Sequence, residues 1–323
     1  MGTPVHKVLV SGANGFVGLR LCQKLLAEGW YVRGAVRSSA GAAKLPEGTE
    51  VIQVDAIGPH TDWSGKLDGI DAVIHLAARV HVMKETTDDP LSEFRYVNTA
   101  GTEHLARTAA KVGVRRLLYV STIKVNGERT KEIPFTEDDE PALEDPYAIS
   151  KWEAEQALQR ISSETGLEIV VVRPPLVYGP GVKGNFLRLM QWVDKGIPLP
   201  LSMVRNRRSL IGLDNFVDVL VQCVQHPRAS GQTFLVADDV NLSTPELLKH
   251  VAEALGRRVK LFPFPPPLLR LGAKLLGMGD ISNRLCGSLV VDSSKVNNLL
   301  NWHPPVSVRD GLQQTARWYL SKH

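Results

Sequence analysis

Short β-rich runs alternate with helical patterns through the first half of the chain. Strands are predicted at Lys7–Ser11, Tyr31–Val36, Glu50–Val54, Ala72–Leu76, Arg116–Ser121 and Glu168–Val172, with helical patterns such as Phe16–Glu28 and Leu91–Val112 between them. This alternation points to an α/β fold, a doubly wound parallel sheet with helices on both faces. The expected Rossmann domain covers residues 1–177 and is rejoined by about 210–236, through the helical run Asn215–Gln225 and a strand at Thr233–Val236. After Arg173 the texture changes to Pro174-Pro175, Tyr178-Gly179-Pro180-Gly181 and later Phe262-Pro263-Phe264-Pro265-Pro266-Pro267. Residues 178–209 and 237–323 are therefore expected to form a smaller, mostly helical substrate domain. The crevice between the two is the expected ligand site.

With 323 residues, 43% hydrophobic and 22% charged, the chain can bury a sizeable core. A net charge of +4 gives no independent case for nucleic acid and fits an anionic small substrate equally well. Cys22, Cys223 and Cys286 lie far apart, without the spacing of a metal or redox pair, and no metal site is expected. The longest apolar runs fall short of a membrane span. Leu268–Leu276 is apolar and basic, and is read as a cap helix rather than a membrane-surface one. Without a signal-peptide pattern, the expectation is a cytoplasmic protein with no stable membrane insertion; a homodimer is expected as a separate matter.

The first strand leads into Ser11-Gly12-Ala13-Asn14-Gly15-Phe16-Val17-Gly18. Gly12 permits a tight turn, Gly15 lets the backbone approach a pyrophosphate, and Gly18 allows close helix–strand packing, with the helix N-terminus facing the anion. The second strand ends in Val36-Arg37-Ser38, without the carboxylate that would meet a ribose of NAD. Arg37 and Ser38 suit a 2′-phosphate, so NADP is expected ahead of NAD; stacking of Arg37 on adenine is the alternative. Asp55, followed by Ala56, ends the third strand and is placed to accept from an adenine amino group or to cap a turn. His75-Leu76-Ala77-Ala78 ends the fourth, where small residues leave room for a cofactor and His75 reads as a packed strand residue. Ser121-Thr122 ends the fifth, at the edge where open α/β sheets place ligands.

Pro146-Tyr147-Ala148-Ile149-Ser150-Lys151 opens a helix and sets a phenol and an ammonium one turn apart. A charge about 4 Å away, at an effective dielectric of roughly 20, is worth about 4 kcal/mol and lowers a tyrosine pKa from ~10 by up to ~3 units. The pair is thus expected to be an acid–base unit working near neutrality.

The glycine loop, His75-Leu76-Ala77-Ala78, Asn98-Thr99-Ala100-Gly101-Thr102, Ser121-Thr122, Tyr147-x-x-x-Lys151 and Arg173-Pro174-Pro175-Leu176-Val177-Tyr178-Gly179-Pro180 together resemble the extended short-chain dehydrogenase/reductases, in particular the UDP-glucose 4-epimerase branch. Residues 121–130, 181–186 and 205–215 resemble a narrower bacterial group that includes the 4-keto reductases forming UDP-N-acetylquinovosamine for surface polysaccharide. The resemblance implies that Tyr147 carries the proton, Lys151 binds the nicotinamide ribose, Thr122 rather than Ser121 holds the substrate oxygen, and Asn98 and Pro174 lie near the cofactor. It implies a nucleotide-sugar substrate, UDP-linked, touched by Lys124, by Asn185 at the diphosphate and by Arg208 as a clamp, with Arg207 as the neighbouring alternative. A solvated surface run at Arg205–Arg208 is the bland alternative. Two positions depart from the family: Leu176 stands where many members carry asparagine, and the C-terminal nucleotide clamp is not preserved around Arg284, which remains a candidate. The implied reaction is NAD(P)-dependent reduction of a 4-keto-6-deoxy sugar such as UDP-2-acetamido-2,6-dideoxy-4-hexosulose. The alternatives are a UDP-sugar 4-epimerase and a non-catalytic cofactor sensor.

Overall fold

A computed structural model describes residues 6–80, 89–275 and 279–322 of the chain. Strand β1 (Lys7–Ser11) passes through the glycine turn into α1 (Phe16–Ala27), followed by β2 (Tyr31–Val36), the one-turn α2 (Ser39–Ala42), β3 (Glu50–Gln53) and β4 (Ala72–His75). The expected helix near Leu91–Val112 is three joined pieces, α3 (Pro90–Phe94), a π turn (Arg95–Ala100) and α4 (Gly101–Lys111). Next come β5 (Arg116–Val120), α5 (Pro146–Thr165), β6 (Glu168–Arg173), β7 (Leu176–Tyr178), α6 (Gly184–Asp194), β8 (Leu210–Gly212), α7 (Leu213–Gln225) and β9 (Thr233–Leu235). The C-terminal part is helical: α8 (Thr244–Leu255), α9 (Pro266–Leu275), α10 (Gly279–Cys286), α11 (Ser294–Leu300) and α12 (Val308–Lys322).

The main sheet has the order β3-β2-β1-β4-β5-β6-β9, with every pairing parallel. Strand order reverses between β1 and β4, so a crevice opens at their C-terminal ends. Both faces are covered, and successive residues of one strand enter opposite cores. Val8 and Val10 pack with α1 and α7, while Leu9 packs with α4 and α5. This is why the strands read as nearly continuous apolar runs.

Only part of the segment expected to return at 210–236 enters this sheet. Strand β9 pairs with β6, Val172 opposite Phe234. Strand β8 instead pairs with β7 in a separate two-stranded ribbon, Val177 opposite Ile211. Pro174 and Pro175 lack backbone N–H donors, so the chain leaves the main ladder after Arg173 and starts a new one.

A third core joins α6, α8 and α12 around Tyr178, Met190, Leu248 and Leu312. Phe16, the first residue of α1, packs against both this core and the one under the sheet. Helix α9 forms over most of Leu268–Leu276, Leu276 lying outside the described residues; Leu269 faces the third core while Leu268, Leu271 and Leu275 are exposed. Among the described residues, no helix is long and apolar enough to cross a membrane. The three cysteines are buried, and burial pushes the Cys22 thiol up to about 12.

Candidate active site

The C-terminal ends of β1 to β4 share one edge because the strands are parallel. Gly12 sits at φ +69, and a Cβ there would lie 3.0 Å from the Ala77 nitrogen, so only glycine lets the loop cross the end of β4 so closely. A Cβ on Gly18 would stand 2.3 Å from the Gly12 carbonyl oxygen; α1 can approach β1 only without one. The Ser11 hydroxyl, whose part the sequence did not reveal, accepts from the Leu76 and Ala77 amides (3.1 and 3.2 Å) and bonds His75 Nδ1 at 2.6 Å. Helix α1 starts at the exposed Gly15 with no side-chain cap and no acidic residue in its first turn, leaving amides and the positive end of the helix dipole for an anion. Asn14, Phe16 and Val17 are half-buried beside it, and the Asn14 amide packs on Gly41 of α2.

Arg37, Ser38, Asp55 and Ala56 are exposed around this edge, and Leu76, Ala77 and Ala78 are half-buried. The Ser38 hydroxyl caps α2 by accepting from the Gly41 amide at 3.2 Å. His75 is buried, with Nε2 3.0 Å from the Thr102 hydroxyl; desolvation and the nearby Lys151 push its pKa down to about 3. It is a neutral, packed strand residue.

Asp145 caps α5 by accepting from the Ala148 amide at 2.7 Å, and Pro146 occupies the first turn. Tyr147 and Lys151 then fall one turn apart. Asn98, in the π turn, donates to the Arg79 carbonyl and the Ser150 hydroxyl and accepts from the Arg79 amide. It thereby ties the chain after β4 to the helix that carries the pair; π turns recur where a side chain must be re-aimed for function.

The expected lowering of the tyrosine pKa is corrected by the structure. Tyr147 is half-buried, edge-on to Phe94 with ring centroids 6.0 Å apart. Desolvation, and then the Asp145 carboxylate, hold its phenol above the ordinary range. Lys151 is itself buried, its Nζ 4.1 Å from the centre of the Tyr119 ring, and desolvation pushes it down to about 7 against the pull of Glu155. Here the cost of removing both groups from water exceeds the attraction counted from spacing alone.

A cavity of about 330 Å³ opens beside Tyr147 and is lined by Thr122, Lys124, Glu128, Pro174, Asn185, Arg208 and Arg284 together with Leu176, Trp192, Leu247 and Leu289. Thr122 reaches it, whereas the neighbouring Ser121 hydroxyl donates to Glu155 on the opposite side. Glu155 also accepts from Arg173 Nε at 3.1 Å and Nη2 at 2.6 Å, and Arg173 Nη1 donates to Asn126. This buried network joins β5, α5 and β6, yet no motif pointed to it.

Arg208 and Arg207 part company. Arg208 pairs through its backbone with Leu242 on one side, and the chain beside it bonds Leu289 on the other. Strand alternation then sends Arg208 inward, where Nη1 donates to the Arg284 and Gly287 carbonyls (3.0 and 3.1 Å). Arg207 is exposed and does not line the cavity, so its place as the alternative clamp is corrected. Burial, and then the Arg284 cation, push the Arg208 pKa below the ordinary guanidinium value. Lys124 lines the cavity but is ion-paired with Asp145 and, at 2.7 Å, with Glu128, so it does not bring an unbalanced positive charge.

Residues 8–237 match the family described as the NAD dependent epimerase/dehydratase family. A UDP-glucose 4-epimerase of Vibrio cholerae is 42% identical over 315 residues, 97% of this chain and 95% of that protein. One from Mycolicibacterium smegmatis is 27% identical over 330 residues, 98% and 99% of the two chains. The crystal structure of a UDP-glucuronic acid 4-epimerase from Bacillus cereus in complex with NAD has the same fold, with a TM-score of 0.78 at 22% identity over 98% of this chain and 99% of that one. Glycine loop, parallel sheet and matched sequence agree: the chain belongs to the NAD dependent epimerase/dehydratase family, within the extended short-chain dehydrogenase/reductases.

Proposed function

We propose that this protein is a UDP-sugar 4-epimerase, oxidising C4 of the sugar and reducing it again from the other face. The observation that carries the reading is that one cavity gathers Thr122 and Tyr147 with Asn185, Arg208 and Arg284: two hydroxyls suited to a reacting oxygen and, in the same space, an amide and two guanidiniums suited to a diphosphate. The 42% identity with a protein named UDP-glucose 4-epimerase supports epimerisation ahead of the 4-keto reduction expected from sequence. Apolar walls at Leu176, Trp192 and Leu289 fit it too, since few fixed hydrogen bonds hold the sugar to one face while it turns.

A nicotinamide dinucleotide, held by Gly12–Gly18, Arg37, Asp55, Leu76–Ala78 and Lys151, supplies the hydride acceptor and donor when bound. As the phenolate, Tyr147 takes the C4 hydroxyl proton during oxidation and, then neutral, returns it during reduction; the raised phenol pKa puts the oxidation half-reaction on the alkaline side. Thr122 orients that oxygen, and Arg208, fixed by two carbonyls, grips the diphosphate with its remaining donors. Pro174 and Asn98 shape the nicotinamide end. Cys22 and Cys223, buried as free thiols, support a cytoplasmic setting, and we read the working form as a homodimer.

The second reading is an NADPH-dependent reductase that yields UDP-N-acetylquinovosamine from the 4-keto sugar. Exposed Arg37 and Ser38, standing where an NAD-selecting carboxylate is absent, favour it. One assay separates the two, with UDP-glucose, UDP-N-acetylglucosamine and UDP-2-acetamido-2,6-dideoxy-4-hexosulose as substrates. Interconversion of a UDP-sugar without net change in nicotinamide absorbance indicates the epimerase. Steady NADPH consumption with the keto sugar indicates the reductase; neither, despite cofactor binding, removes both. Arg37→Ala is expected to weaken NADPH binding by about tenfold or more while sparing NADH, the loss of one charged phosphate contact. Equal losses for both would show that Arg37 only stacks.

Arg208→Ala is expected to weaken UDP-sugar binding by about 30-fold or more, the scale of a lost buried charged contact. Calorimetric titration checks it, and near-parental affinity in a folded variant would move the diphosphate elsewhere.

A further inference from the structure

Two neighbouring stretches, which apart from Arg208 lie outside the cavity, share an unusual composition. Residues 195–209 contain four lysines and arginines and residues 257–275 contain five, and neither stretch has an aspartate or glutamate. They run side by side: the Leu199 amide donates to the Lys260 carbonyl at 2.8 Å and the Phe262 amide to the Leu199 carbonyl at 3.1 Å. Leu199 and Leu201 are buried in the third core, while Ile197, Met203 and Phe262 are 39%, 46% and 43% exposed. The second stretch continues into α9, where Leu268, Leu271 and Leu275 are 55%, 56% and 79% exposed. At spacings of three and four these leucines form one stripe, and the half-buried Leu269 anchors the other side of the helix. Arg258, Lys260 and Lys274 are exposed, and among the described residues none has a carboxylate partner; Arg257, by contrast, is tied to Asp194 at 2.9 Å.

Helix α9 is a cap helix on its Leu269 side, as expected, but contrary to the sequence expectation its exposed side is not inert: we propose that this face docks the protein peripherally on an anionic lipid bilayer. The leucines and Phe262 enter the headgroup–acyl boundary, and the cations meet lipid phosphates. A neutral protein surface would satisfy the apolar stripe alone, and a second copy of the same face would set cation against cation. An anionic bilayer offers both an apolar interior and negative charge. Helix α9 packs on α10, which carries Arg284 and Leu285 of the cavity wall, so docking brings that wall to the membrane surface. The docking stands independently of which reaction occurs at C4.

The test is flotation of the full-length protein with vesicles of phosphatidylcholine alone or mixed with phosphatidylglycerol. Retention is expected on the mixed vesicles only and is expected to fall as salt rises. Leu271→Gln combined with Leu275→Gln should weaken retention about tenfold or more, and each of Arg258→Gln, Lys260→Gln and Lys274→Gln by about fivefold. Because these side chains are exposed, circular dichroism and cofactor affinity should stay at parental values. A parent protein that remains in solution with the anionic vesicles at low salt overturns the proposal, as does undiminished retention of the leucine double variant. Self-association removed by the same leucine substitutions, without vesicle retention, would show the face to be a contact between copies and would equally overturn it.

Discussion

Tyr147→Phe is expected to reduce turnover by about 10²–10⁴-fold while leaving the fold and cofactor affinity nearly intact, because only the proton carrier is deleted. The ring still packs edge-on to Phe94, and the cap of α5 by Asp145 does not involve the phenol. Thr122→Ala should cost less, about 10²-fold, as the loss of one oriented donor. The pH profile gives a second readout. The Asp145 carboxylate pushes the Tyr147 phenol upward, so Asp145→Asn, which can still cap the helix, should let the phenolate form at lower pH. The limb of the oxidation rate that requires a deprotonated phenol should therefore move toward acid. Turnover of Tyr147→Phe at the parental rate would take this residue out of the mechanism.

Arg173→Leu should lower stability by about 3–5 kcal/mol, since it strands the Glu155 carboxylate in the core beside the Ser121 hydroxyl. Both side chains of the pair are only 4% exposed, so water cannot replace the lost partner cheaply. For a chain of this size the thermal midpoint should fall by roughly 5–15 °C. Pairing it with Glu155→Leu should restore most of the loss, because the expense lies in an unmatched buried charge rather than in the missing attraction. Thermal unfolding of both single variants and the double variant measures this. A single-variant loss under about 1 kcal/mol would mean that the carboxylate finds other solvation. The pair also bears on catalysis: Glu155 lies one turn beyond Lys151, and its charge is what pulls the buried ammonium upward.

How much of this was legible beforehand depends on the range over which each feature is set. The alternation of strand and helix required a parallel sheet, and each predicted strand of the main sheet lies within about a residue of its observed end. The glycine loop, the cap at Asp145 and the one-turn spacing of Tyr147 and Lys151 are local: backbone sterics and helical period decide them within a few residues. For Cys22 and Cys223, the apolar helical patterns around them in sequence agree with their burial.

What the tertiary structure alone decided concerns which way a side chain faces and what it meets there. Neighbouring hydroxyls separate, Ser121 into the core network and Thr122 into the cavity, and neighbouring arginines separate, Arg207 to solvent and Arg208 inward. Those choices follow from strand pairings to Val172, Leu242 and Leu289, partners 34 to 82 positions away for the residues concerned. Lys124, named beforehand only as a substrate contact, is also held by Asp145 and Glu128, carboxylates that folding sets beside it. The sequence placed Tyr147 and Lys151 one turn apart, but their protonation depends on desolvation by residues from other elements, Tyr119 and Phe94 among them. Periodicity acts along the chain and can be read there; solvent exclusion and partner choice act across it, and exist only once distant segments have packed.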